Sequence, residues 1–164
     1  MQQQQVSISA GFFKNQHVTM KELDEILYDA LKADAELMEA VGNRIVSTCF
    51  EVSPEEKDNT PMPCIIVTDD GWQNVPGTKD SVWESDEDTV TASVEVDAES
   101  PREVKRIVKM VRHAIAEYIA GMAAEDEEIP YLDNVQSTGI GWDWMKPCYH
   151  ETVAYTCKVE NQEQ

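Results

Sequence analysis

The stretch that decides the fold is Thr89–Ile115, TVTASVEVDAESPREVKRIVKMVRHAI. Its first residues alternate. Val90, Ala92, Val94 and Val96 fall to one side, and Thr89, Thr91, Ser93, Glu95 and Asp97 to the other, which is the period of a strand with one buried face. The period then changes. Ser100, Pro101 and Glu103 supply a cap hydroxyl, a first-turn proline and a capping-box glutamate. Val104, Ile107, Val108, Val111, Ile115, Tyr118, Ile119 and Met122 follow at helical spacing, with Gly121 as the expected end. The outer face of this helix begins basic, with Arg102, Lys105, Arg106, Lys109 and Arg112.

Upstream, Thr19-Met20-Lys21-Glu22 fits a capping box. It opens a helix whose apolar stripe runs from Leu23 through Ile26, Leu27, Leu31 and Leu37 to Val41, with Gly42 as the stop. Arg44–Val52 and Cys64–Val67 read as strands, separated by the Pro-rich loop Ser53–Pro63. Asp69–Asp88 is a long polar stretch that contains Trp72 and Trp83. A compact domain seldom keeps so long a segment without a use. The two indoles either pack back on the domain or belong to an extended hairpin that grips a partner. Downstream, Asn134–Met145 and Cys148–Val159 read as strands joined at Lys146-Pro147, and Tyr149, Val153, Tyr155, Cys157 and Val159 share one face of the second. The expected architecture is a single α+β domain over residues 19–160, a mixed or antiparallel sheet of about five strands packed by two amphipathic helices. Residues 1–18, rich in Gln and carrying Phe12 and Phe13, are expected to form a flexible arm, and 161–164 a disordered end.

Composition narrows the function. The 164 residues carry 13 Lys+Arg against 32 Asp+Glu, a net charge of −19, which disfavours a free-standing nucleic-acid binder or an anionic-membrane binder. Half of the acids lie in 51–59, 69–88 and 125–133, where solvated loop charge is preferred over a cation site. No stretch approaches a membrane span, and Met1–Gln5 lack the charge pattern of a secretory leader, so a soluble protein made in the cytoplasm is expected. Cys49, Cys64, Cys148 and Cys157 are widely spaced and read as reduced, partly buried strand residues.

Signatures of catalysis are missing: no phosphate-binding loop, no nucleophile elbow, no His-Glu-x-x-His. Cys148 and His150 share a strand face, but two ligands do not make a structural zinc site. His113 and Glu117, four apart, read as a helix-surface pair. Glu95 and Asp97, with Asp69 and Asp70 at the end of the preceding strand, are the carboxylates that could hold Mg²⁺. The lysine on that strand and the basic cradle that a metal nuclease would want are absent. No enzyme activity, cofactor or metal is therefore expected.

The order of elements resembles the phage tail-terminator (tail-completion) family of siphophage-type tails. The resemblance rests on the first helix ending ELMEAVGNRIV (Glu36–Val46), the Pro-bounded strand PMPCIIV (Pro61–Val67), the long polar insertion, the strand Thr89–Ser100 running into its capped helix, and the closing TVAYTCKVE (Thr152–Glu160). It covers residues 19–160; the arm and the pair Trp142/Trp144 are departures from it. The resemblance implies a structural virion protein at the tail–head junction. It would form a ring with itself, typically of about six subunits, that caps the tail tube, stops its polymerisation and docks to the head connector or stopper, while DNA passes through the lumen without specific binding. Trp72 and Trp83, and Arg102, Lys105, Arg106 and Lys109 facing an acidic loop of a neighbour, are the candidate interface residues. The alternatives are another head–tail adaptor and an acidic module that inhibits a DNA-processing enzyme.

Overall fold

The computed structural model describes residues 22–48, 60–74, 85–127 and 129–160. These residues form α1 (Leu23–Ala33), α2 (Ala35–Ala40), β1 (Ile45–Ser47), β2 (Cys64–Asn74), β3 (Glu87–Ala98), α3 (Pro101–Ala124), β4 (Leu132–Ser137), β5 (Gly141–Asp143) and β6 (Cys148–Glu160). The strands make one open six-stranded sheet of order β1-β2-β3-β6-β4, with β5 also paired to β6. β1 is parallel to β2 and the other pairings are antiparallel, so the sheet is mixed. The helices α1 and α3 pack on one another and on its central strands. Among the described residues no helix is long and apolar enough to cross a membrane.

The two decisive periods are realised as elements. Ala92, Val94, Val96 and Ala98 are buried under α3, whose stripe Val104, Ile107, Val108, Val111 and Ile115 is buried in return. Each fully buried aliphatic contributes about 1.5–3 kcal/mol, so this seam dominates the core. Ser100 caps α3, its hydroxyl accepting from the Glu103 N–H at 3.2 Å, with Pro101 at the first turn. On β6, Val153, Tyr155 and Cys157 join the same core, with Tyr149 and Val159 packed at its edge. Cys64, Cys148 and Cys157 are free and buried; Cys49 lies outside the described residues.

Several boundaries differ from expectation, each for a local reason. The first helix starts at Leu23 with Glu22 as its N-cap, so Glu22 is not the third residue of a helix begun at Thr19, which lies outside the described residues. The same helix is broken in two, because the Asp34 carboxylate accepts from the Leu37 N–H at 2.9 Å and caps α2 afresh. Among the described residues three helices therefore stand where two are expected. Gly42 does end the second, at φ +58°, with the Asn43 and Gly42 amides returning to Met38 and Glu39 in a Schellman arrangement. The strand expected over Arg44–Val52 is confined to Ile45–Ser47 in the described part. α3 passes through Gly121, where the helix is exposed, and ends at Ala124. Asn134–Met145 is two strands, not one, separated at Thr138–Ile140, which brings the count to six. The polar stretch is not a loop throughout: β2 continues to Asn74 and β3 begins at Glu87, the two paired from Trp72↔Val90 to Asn74↔Asp88 beyond a bulge.

Candidate functional site

No catalytic constellation assembles among the described residues, but the sheet has two differently built exposed ends. The first is the outer end of the β2–β3 hairpin. Asn74 organises it, its side-chain amide donating to Ser85 O (2.9 Å) and Asp88 Oδ1 (2.7 Å) while its oxygen accepts from the Ser85 N–H at 2.9 Å. Glu87 reaches Lys158 at 3.6 Å. Trp72 projects here, 66% exposed, with Asp70 exposed two residues before it on β2 and Asp86 exposed just before β3. In this segment β2 pairs with β3 as far as Asn74 and carries Trp72 outward; Trp83 lies outside the described residues.

The second end is the β5–β6 turn. Trp142 pairs with Tyr149 across the strands, their rings edge to face at 4.8 Å, and Trp144 stands edge-on to Trp142 at 5.9 Å. Trp144 and Met145 are 85% and 95% exposed. The His150 ring lies against Gly141: a Cβ there would come within 3.3 Å of His150 Nε2, so the ring would have to give by a few tenths of an ångström. The turn itself is folded by Asp143, whose carboxylate accepts from the amides of Met145 (2.9 Å) and Lys146 (3.4 Å).

Beneath this turn is a buried charge pair. Lys146 Nζ lies 3.1 Å from Asp97 Oδ2, with the Lys146 side chain 13% and the Asp97 side chain 3% exposed, and 3.4 Å from Cys64 Sγ. Burial works against the Lys146 charge, but Cys64 and Asp97 outweigh it and hold its pKa above the ordinary value. Burial pushes the thiols of Cys64 and Cys148 up to about 11, so both are inert at neutral pH. Register explains the grouping: Cys64 on β2, Asp97 on β3 and His150 on β6 are successive cross-strand partners. Asp97 Oδ1 and His150 Nδ1 are buried there with no hydrogen-bond partner.

This arrangement separates the carboxylates that could have held Mg²⁺. Asp97 is opposite Cys64 and committed to Lys146, whereas Asp69 is five residues along β2, opposite Ala92. A different trio, Glu22, Asp24 and Asp69, brings one ligand atom each within 4.8 Å. Glu22 and Asp24 belong to the N-terminal turn of α1, where the helix dipole favours carboxylates without an ion. His113 and Glu117 are the exposed helix-surface pair expected, at 3.0 Å.

The basic residues stand where the periodicity put them. Arg102, Lys105, Arg106 and Lys109 are exposed on α3 and, with Pro101 and Met110, line a shallow groove. What sequence reading missed is the Trp142–Trp144–Met145 tip and its Lys146 anchor. The signal available was a lone lysine following two tryptophans and a methionine in WDWMKPC, Trp142–Cys148.

A family match agrees with the resemblance of the element order to tail-completion proteins. The family model described as Tail completion protein gp17 matches residues 25–129, from within α1 to just past the end of α3. No curated protein matches. Among solved structures, a chain of the virion of a native gene transfer agent particle is 15% identical, with 88% of this chain and 98% of that one covered at a TM-score of 0.48. The bacteriophage SPP1 gp17 protein is 15% identical, with 85% and 90% covered at 0.45.

Proposed function

The chain belongs to the tail completion protein gp17 family, and on that premise we propose that its copies close into a ring on the head-proximal end of the tail tube, where they stop tube polymerisation and offer the surface that docks to the head connector. The family match over residues 25–129 carries this reading. The role is structural, and its partners are further copies of the chain, the tube protein and a connector or stopper protein.

The charge fits a conduit. Acidic lumen walls repel phosphates, so DNA slides without adhering. The same charge opposes closure: six copies at −19 each carry −114, so assembly should strengthen with salt or Mg²⁺. Light scattering after size exclusion, with and without Mg²⁺ and with negative-stain images of the same fractions, tests the reading. A ring of about six subunits that caps added tail tubes supports it. A monomer or dimer that ignores tubes and instead binds a basic protein would replace it with the acidic-inhibitor reading, which the net charge also favours.

A further inference from the structure

We propose that the two exposed ends of the sheet are the two halves of one head-to-tail contact between copies of this chain: the β5–β6 tip with the start of α3 on one copy, and the outer end of the β2–β3 hairpin on the next. The proposal deepens the ring reading and rests on it. A closed ring needs heterologous contacts between two different patches of each subunit. The fold supplies two such patches at opposite ends of a single strand. Trp72 is opposite Val90, near the beginning of β3. Tyr149 is opposite Ala98 at its end, and Trp142 is opposite Tyr149. From Val90 to Ala98 the strand rise gives about 27 Å. Val90 and Tyr149 both pack against the helix-side core, so their partners Trp72 and Trp142 are placed on the same face, and Trp144 is held against Trp142.

Charge decides the occupant. α3 starts three residues after Ala98, so exposed Arg102, Lys105, Arg106 and Lys109 stand at the end that carries Trp144 and Met145. Glu99 and Glu103 only partly offset them. The hairpin end is acidic, with Asp70 and Asp86 exposed and Asp88 and Glu87 beside them. In a chain of net charge −19, the basic start of α3 fits a further acidic surface, and a second copy presents one next to an exposed indole. Trp144 and Met145 would then be buried against Trp72 of the neighbour, with the four cations of α3 facing its carboxylates. Large aromatics at the centre and charges at the rim are the usual anatomy of such a contact. The Lys146–Asp97 pair holds the tip in place before the neighbour arrives, which lowers the ordering cost of binding.

Charge-swap complementation tests this. One variant carries R102E and K105E, the other D70K and D86K, none of which removes a buried side chain or a capping group. Each alone should associate at least tenfold more weakly than wild type, because like charges now meet. Mixed in equal amounts they should recover wild-type assemblies of alternating composition, since each contact then pairs opposite charges. W144A should weaken association to a similar degree while its circular dichroism and unfolding midpoint stay those of wild type. Wild-type rings with unaffected single variants would overturn this contact and leave the ring reading standing. Rings lost in both variants but not restored by mixing would mean that the two ends serve different partners. A wild-type chain that stays monomeric at every concentration, and on added tail tubes, would overturn both.

Discussion

The outer end of the β2–β3 hairpin and the tip of the β5–β6 turn both present exposed indoles, but they are held by different physics. At the hairpin end, the partly buried amide of Asn74 makes neutral and charge-assisted hydrogen bonds to Ser85 and Asp88. Water can replace such bonds at modest cost. At the tip, Lys146 reaches down to Asp97 through a nearly dry contact, and a buried charge left without its partner is expensive. The hairpin end is therefore free to adjust without risk to the fold, whereas the tip is fixed to the sheet and cannot be loosened cheaply. The family match, residues 25–129, includes the described part of the hairpin and stops short of the tip.

The largest expected effect breaks the tip. Lys146→Met should destabilise the chain by about 3–5 kcal/mol in urea unfolding, because it strands the Asp97 carboxylate. Adding Asp97→Ala should return much of that loss, a coupling above about 1.5 kcal/mol. Simple additivity would show that the pair is not a unit.

Next in size is the pH dependence of the same cluster. The buried thiols of Cys64 and Cys148 titrate near 11 instead of 9, so the folded state holds their protons where the unfolded chain has lost them. That stability is complete below pH 9 and is lost as pH rises from 9 towards 11, on the order of 2 kcal/mol for Cys64. The raised Lys146 works in the same direction only above its ordinary value, and Tyr155, pushed to about 12, adds to the slope above pH 10. Unfolding midpoints measured from pH 7 to 10.5 should fall above 9, and Cys64→Ala should flatten that fall. An unchanged slope in the alanine variant would remove the thiol from the account.

At the hairpin end the effects are smaller. Asn74→Ala should cost about 1 kcal/mol and raise amide hydrogen exchange at Ser85–Asp88, leaving the Trp142–Tyr149 region as protected as before. Exchange that rises at both ends together would contradict their independence. Smallest of all, Trp144→Ala should shift stability by less than about 0.5 kcal/mol, since the side chain is 85% exposed; a larger loss would place the indole in the fold instead of at its surface.

The comparison also marks what could be read from the chain. The β3–α3 seam was legible because its signals are local. Alternation from Thr89 to Asp97 and the Ser100–Glu103 cap fix two elements whatever surrounds them. Asp34 was legible in principle, being a good cap residue, but apolar residues at helical spacing on both sides of it, Leu23–Leu31 and Leu37–Val41, masked the break. The polar stretch Asp69–Asn74 carries loop composition and becomes a strand because β3 is there to pair with it. Of the expected interface residues, the four cations on α3 followed from helical spacing alone, while Trp72 needed the hairpin to show that it points outward.

By itself the sequence determined the elements with strong short-range periods, the side of each that faces the core, the acidic charge and the family pattern, because neighbours two to four residues apart are enough to encode them. The tertiary structure decided what depends on strand order. It placed Lys146, 49 residues beyond Asp97 and 82 beyond Cys64, over a carboxylate that alternation assigns to a polar face, and it put one acidic and one basic aromatic patch at opposite ends of β3. No local pattern could specify either, because a charge is stabilised in the interior only by the partner that folding brings to it.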